Sequence, residues 1–151
     1  MGTANTMSMI CETIGMSLPG NSTAAAESEE LLEIAYQAGR QVMTLWQKQV
    51  TARQIITKNS ISNAIKVCMA IGGSTNTIIH VPAIATESEI EMDCSELYAE
   101  ASNEIPLLVG IRPNGPYCME DFHQAAALAA VVVEVEVSRR NFTLILQSRA
   151  N

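Results

Sequence analysis

The sequence predicts an α/β fold, a predominantly helical unit carrying a small, incomplete parallel sheet. Three observations predict it. Apolar residues recur at steps of three and four through most of the chain, the spacing of a single helix face. Two short apolar runs, residues 107–111 and 142–146, read as buried strands with a helix between them, which allows a parallel pair. Two strands alone do not make a stable sheet, so the sheet is expected to be incomplete.

The elements follow in order. Residues 5–16 carry Met9, Ile10, Ile14 and Met16 at helical spacing, and Leu18-Pro19-Gly20-Asn21 stops that helix. Ser28-Glu29-Glu30 offers a hydroxyl and two carboxylates to the free amides of a second helix, running to about Gln49. Its stripe of Leu31, Ala35, Ala38, Val42 and Leu45, with Trp46 beside it, reads as core. Asn59-Ser60 caps a third helix, with Ile61, Ala64, Ile65, Cys68 and Met69 on one side, and Gly72-Gly73 ends it. A fourth helix starts at Ser74 and contains Pro82, which predicts a kink or break near His80 because proline has no amide to donate. Asp93-Cys94-Ser95-Glu96 has capping-box spacing and opens a helix to about Ser102. Residues 112–116 form a turn by composition, and Glu120-Asp121 begins a last helix rich in alanine and valine.

Composition narrows the function. A chain of 151 residues has room for one domain, and 48% apolar with 17% charged residues argues against disorder. A net charge of -7 with scattered Lys and Arg argues against nucleic acid and anionic membranes as partners. The longest apolar run, 125–133, is about half the roughly 18 residues a membrane span needs. Cys11, Cys68, Cys94 and Cys118 stand alone, without C-x-x-C or short Cys/His spacing, so free thiols and no metal centre built by this chain alone are expected. With no apolar leader, a reducing cytoplasm is the expected location. Residues 1–6 fit the loose myristoylation pattern, for which the family resemblance below supplies another explanation.

Gly72-Gly73-Ser74-Thr75-Asn76 places two glycines and three small polar residues before a helix, where free amides and the dipole favour an anion such as a carboxylate. The same residues also fit a glycine-terminated helix followed by a capped one. Asn76 and His80, four apart on a helix, share a face and can point at one ligand, although a histidine on an apolar helix also fits a hydrogen-bonded core role. His123 reads as a solvated surface residue, and Glu120-Asp121 as partners of a helix dipole.

Five segments together carry a resemblance: residues 2–7 (Gly-Thr-Ala-Asn-Thr-Met), Leu18-Pro19-Gly20-Asn21, Ile56-Thr57 followed by Asn63-Ala64-Ile65, Gly72 to Asn76 with His80, and Met119-Glu120-Asp121. In order and spacing they resemble the dihydroxy-acid and sugar-acid dehydratases. The resemblance implies a hydro-lyase that turns a 2,3-dihydroxy acid into a 2-keto acid, as in branched-chain amino-acid biosynthesis, with an iron–sulfur cluster and magnesium as cofactors of the full-length protein.

It also implies that the family's cluster cysteines, magnesium ligands and serine base lie outside this chain. Residues 1–151 are therefore expected to be a single partial domain, from the middle of the family's N-terminal domain, without a C-terminal domain. By itself the chain is expected to be inactive and to bind neither cofactor. The implied site residues are Gly2, Thr3, Ser74, Thr75, Asn76 and His80, facing a small hydroxy acid, and a family-like homo-oligomer is compatible with this. The family's Ala-Gly-Gly corresponds to Ala125-Ala126-Ala127, so the likeness weakens there. Two alternatives stay open: a sugar-acid dehydratase fragment, which the Gly2-Thr3 pair favours, or a non-catalytic gene remnant or helical association module.

Overall fold

A computed structural model describes residues 1–125 and Val131. Seven helices are present among them: α1 (Thr3–Thr13), α2 (Glu29–Gln47), α3 (Ala52–Ile55), α4 (Lys58–Ala70), α5 (Thr77–Glu87), α6 (Cys94–Glu104) and α7 (Met119–Gln124). α4 is the hub and packs against α1, α5 and α6. It can do so because apolar or small residues surround it: Ile61, Ala64, Ile65, Val67 and Cys68 are all buried. α1 answers with Thr6, Met9, Ile10 and Thr13, a stripe at i, i+3, i+4 and i+7.

Local chemistry sets the boundaries. Ser28 caps α2 by accepting from the Leu31 amide at 3.1 Å, and Asp93 caps α6 by accepting from Glu96 at 3.0 Å. α4 starts at Lys58, with its cap two residues before the Asn59 expected from sequence. Its cap is Thr57, whose hydroxyl accepts from Ser60 while the Ser60 hydroxyl accepts from the Thr57 amide, a reciprocal capping box. α5 starts at Thr77, not Ser74, and runs unbroken through Pro82 to Glu87.

The predicted sheet is absent from the described residues. Among the described residues no strand forms, and the fold class is helical. Residues 107–110 take no regular structure, and the Leu108 and Val109 amides both turn to the carbonyl of Ala70 at the end of α4. The chain then doubles back through 112–116, with a single bridge between Ile111 and Tyr117. An extended apolar run becomes a strand only when another strand takes its ladder of amides and carbonyls, and a helix end supplies one carbonyl instead. The other expected strand, 142–146, and most of the alanine- and valine-rich continuation of α7 lie outside the described residues.

α2 corrects a second expectation. Leu31, Ala38 and Leu45 are half-buried, but Ala35, Val42 and Trp46 are exposed, and no residue of the helix is fully buried. Its inner side rests on the 18–24 loop, where Ile34 lies over Gly20. The helix ends with Gln49 in the left-handed region at φ 54, in a position that glycine usually holds. Because a side chain there costs about 1–2 kcal/mol, Gln49→Gly is expected to raise stability by about 1 kcal/mol, measured by urea unfolding.

Candidate functional site

The Gly72-Gly73 turn is built by packing as much as by helix termination. The Gly73 amide donates to Cys68 O at 2.9 Å and the Gly72 amide to Met69 O at 3.1 Å, the paired bonds of a Schellman motif closing α4. Gly72 has φ 58, and a Cβ on it would lie 2.5 Å from the Asn114 amide nitrogen. That nitrogen donates to Gly72 O at 2.8 Å, so the 112–116 turn clasps the motif from outside. At Gly73 a Cβ would lie 2.8 Å from both Cys68 Sγ and Thr6 Cγ2, so only glycine lets the turn approach α1 this closely.

That approach brings together residues some seventy positions apart. The Ser74 amide donates to Thr6 Oγ1 at 3.1 Å, and the Thr6 hydroxyl donates onward to Gly2 O at 2.9 Å. Thr3 Oγ1 and Ser74 Oγ are 3.0 Å apart, Asn76 Nδ2 donates to Thr3 Oγ1 at 2.8 Å, and the Asn76 amide donates to Ser74 Oγ at 3.3 Å. One hydroxyl of the Thr3–Ser74 pair spends its proton on the other. The second proton has no acceptor among the described residues, so the cluster presents a net donor to its surroundings.

Of the six residues picked from sequence, Thr3, Ser74 and Asn76 therefore meet in one network. Gly2 contributes its carbonyl to the same corner. It is exposed, and nothing lies within 4 Å of where its Cβ would be, so the fold itself does not demand glycine there. Thr75 and His80 are exposed, and no side-chain hydrogen bond joins either to the network.

Beneath the network lies a buried polar layer between α4, α5 and α6. Thr77 donates its hydroxyl proton to Ser74 O at 2.9 Å, so at 3.2 Å the Cys68 thiol is the donor to Thr77 Oγ1. Burial pushes the Cys68 thiol up. Tyr98 faces the same layer. Its hydroxyl reaches no partner at ordinary hydrogen-bond geometry, so burial dominates over a weak pull from Thr77 and pushes it up to about 12.

Sequence reasoning missed two further groups. Glu12 is 5% exposed, and its two carboxylate oxygens accept from the Gly20 and Ser22 amides at 2.9 Å each, folding the 18–24 loop onto α1. A signal was available: an acidic residue in the last turn of a helix opposes the dipole and needs another reason to be there. His123 is not simply solvated. Its Nδ1 bonds Thr23 Oγ1 at 3.0 Å and its Nε2 meets Glu30 Oε2 at 3.0 Å, which ties α7, the loop and the start of α2 together. Asp121 plays the expected end-of-helix role, accepting from the Cys118 amide at 2.8 Å, which holds its carboxyl below the ordinary range.

The thiols do not fit a metal cluster. Burial pushes up Cys11, Cys68 and Cys94, which disfavours the thiolate that ligation needs. Among the described residues no three His, Cys, Asp or Glu side chains converge on a point that could hold a metal ion. No helix among them is long and apolar enough to cross a membrane.

A model of the dihydroxy-acid/6-phosphogluconate dehydratase N-terminal region matches residues 1–144. The chain belongs to this dehydratase family. It is 44% identical over 134 residues to a dihydroxy-acid dehydratase of Methanoregula boonei, covering 89% of this chain and 24% of that protein. A dihydroxy-acid dehydratase of Thermodesulfovibrio yellowstonii is 44% identical over 132 residues, 87% of this chain and 24% of the relative. One from Endomicrobium trichonymphae is 43% identical over 136 residues, 90% and 25% respectively. The chain thus spans about a quarter of the length of these dehydratase relatives.

Proposed function

We propose that this chain forms one wall of the substrate site of a hydro-lyase acting on a 2,3-dihydroxy acid. The observation that carries the reading is the Thr3–Ser74–Asn76 network with its surplus hydroxyl proton. A surplus donor suits a carboxylate or a hydroxyl oxygen, the two groups such an acid presents, and the neighbouring first turn of α5 adds its positive dipole end. Dehydration removes the C2 proton and the C3 hydroxyl as water, leaving an enol that becomes the 2-keto acid. In that reaction the wall binds and orients. Nothing in it supplies the base or the Lewis acid, and the iron–sulfur and magnesium chemistry implied by the family finds no fitting donor set in the described residues.

A dihydroxy acid is preferred to a sugar acid because the relatives at 43–44% identity are named dihydroxy-acid dehydratases. The test is a graft: the matching segment of the Methanoregula boonei protein is replaced by this chain, with and without Ser74→Ala. A hydrogen bond to a charged substrate group contributes about 1.5–3 kcal/mol, so the substitution is expected to lower kcat/KM at least tenfold. An unchanged kcat/KM in the Ser74→Ala graft would refute the assignment.

A further inference from the structure

Ser74 lies between two helices and belongs to neither. α4 closes at Ala70 and α5 opens at Thr77, so no helical ladder fixes it. Its place is set instead by hydrogen bonds at three points. The amide donates to Thr6 Oγ1 at 3.1 Å, and the carbonyl accepts from the Thr77 amide at 3.1 Å and from the Thr77 hydroxyl at 2.9 Å. The side chain meets Thr3. Both threonines that grip the backbone are buried, and each hydroxyl gives and accepts a bond: Thr6 donates onward to Gly2 O, and Thr77 accepts from Cys68 Sγ at 3.2 Å. Thr77 is also the odd member of its stripe. The buried residues of α5 are Thr77, Val81 and Ala85, one turn apart, and a valine of the same shape would fill the first place without a hydroxyl to desolvate. Packing does not account for a threonine there, whereas the bond to Ser74 O does.

We infer that Thr77 is a positioning residue of the site: its hydroxyl holds the Ser74 carbonyl so that the Ser74 side chain meets Thr3 and Asn76. The inference rests on the reading of that corner as a substrate wall, and Thr77 itself, buried beneath it, acts only through Ser74. Cys68 sets the direction of the bond. With one lone pair of Thr77 Oγ1 taken by the thiol proton, the hydroxyl proton is left to point at Ser74 O. Without the hydroxyl the carbonyl keeps only the Thr77 amide, and the Ser74–Thr75 peptide gains freedom to turn. A side chain that leaves its place in this way no longer orients what it binds.

Two measurements separate positioning from plain support of the fold. In the 151-residue chain without ligand, Thr77→Val is expected to shift the Thr3 side-chain resonances and to speed exchange of the Ser74 amide about threefold to tenfold, the range of one hydrogen bond. Thr77→Ser, which keeps the hydroxyl, is expected to leave both at parent values, and the Leu31 amide at the distant Ser28 cap should move in neither variant. In the graft, Thr77→Val is expected to lower kcat/KM about threefold to tenfold and Thr77→Ser to restore it. Once Ser74 is alanine, Thr77→Val should lower it no further, because both substitutions remove the same interaction. An equal loss with and without Ser74, or Thr3 and Ser74 unmoved by Thr77→Val in a chain of unchanged helicity, would overturn the proposal. If Ser74→Ala itself leaves the graft unchanged, the substrate reading falls, and the ligand-free shifts alone uphold or overturn the hold of Thr77 on Ser74.

Discussion

Replacing Glu12 by alanine is expected to lower the stability of the chain by about 3–5 kcal/mol, because each buried amide left without an acceptor costs about 1–3 kcal/mol and a buried cavity adds to it. Two amides lose their acceptor together, those of Gly20 and Ser22. The loop they hold carries Thr23, which bonds His123 of α7, so its release also takes that loop partner away from α7. For a chain of this size the loss corresponds to a fall in Tm of about 10 °C or more. Glu12→Gln, which keeps one acceptor oxygen, is expected to fall between. Thermal unfolding followed by circular dichroism measures all three proteins, and equal Tm values for Glu12→Ala and the unsubstituted chain would contradict the role given to the carboxylate.

The second large effect is expected at Gly73. A Cβ there meets Cys68 Sγ and Thr6 Cγ2 at 2.8 Å and the Cys68 carbonyl at 3.2 Å. Cys68 is buried and wedged against Thr77, so it has nowhere to retreat, and overpacking of this kind costs about 1–3 kcal/mol. The relief available is a shift of α1 away from the turn, which lengthens the Ser74–Thr6 and Thr3–Ser74 bonds. Gly73→Ala is therefore expected to reduce both urea stability and, in the graft, kcat/KM. Gly2→Ala is the control: with open space around it, its stability should stay within about 0.5 kcal/mol of the parent. A Gly73→Ala chain as stable as the Gly2→Ala chain would show that the turn does not need its close approach.

Several local features around the candidate site were legible in the sequence because they obey short-range rules. Gly72-Gly73 reads as a helix stop and Ser28 and Asp93 as caps, each depending on a few neighbours, whereas the next helix enters three residues later than Ser74. What the sequence could not place was the meeting of Thr3 with Ser74 and Asn76 by geometry alone. That contact spans about seventy residues and is set by how α1 lies on α4, and only the family resemblance put Thr3 and Ser74 in one candidate set. The sheet failed for a related reason. Residues 107–111 have strand composition, but their amides were taken by Ala70 at the end of α4, a partner that apolar patterning does not reveal. On α2 the periodicity was right and the burial was not, since apolar residues lie on two sides of the helix and only one side is covered by the described residues. Glu12 and His123 were hidden because each works through loop backbone or another helix, not through a motif.

The corner where α1 meets the Gly72–Asn76 turn is proposed as the surface that receives a hydroxy acid. The most direct measurement is a titration of the 151-residue chain with a 2,3-dihydroxy acid, followed by nuclear magnetic resonance of backbone amides and the Asn76 side-chain amide. A few hydrogen bonds without metal support correspond to dissociation constants of about a millimolar. Saturable shifts are predicted at Thr3, Ser74, Thr75 and Asn76, and their loss in Ser74→Ala. Shifts absent from that corner at saturating acid, or centred elsewhere and unaffected by Ser74→Ala, would contradict the account.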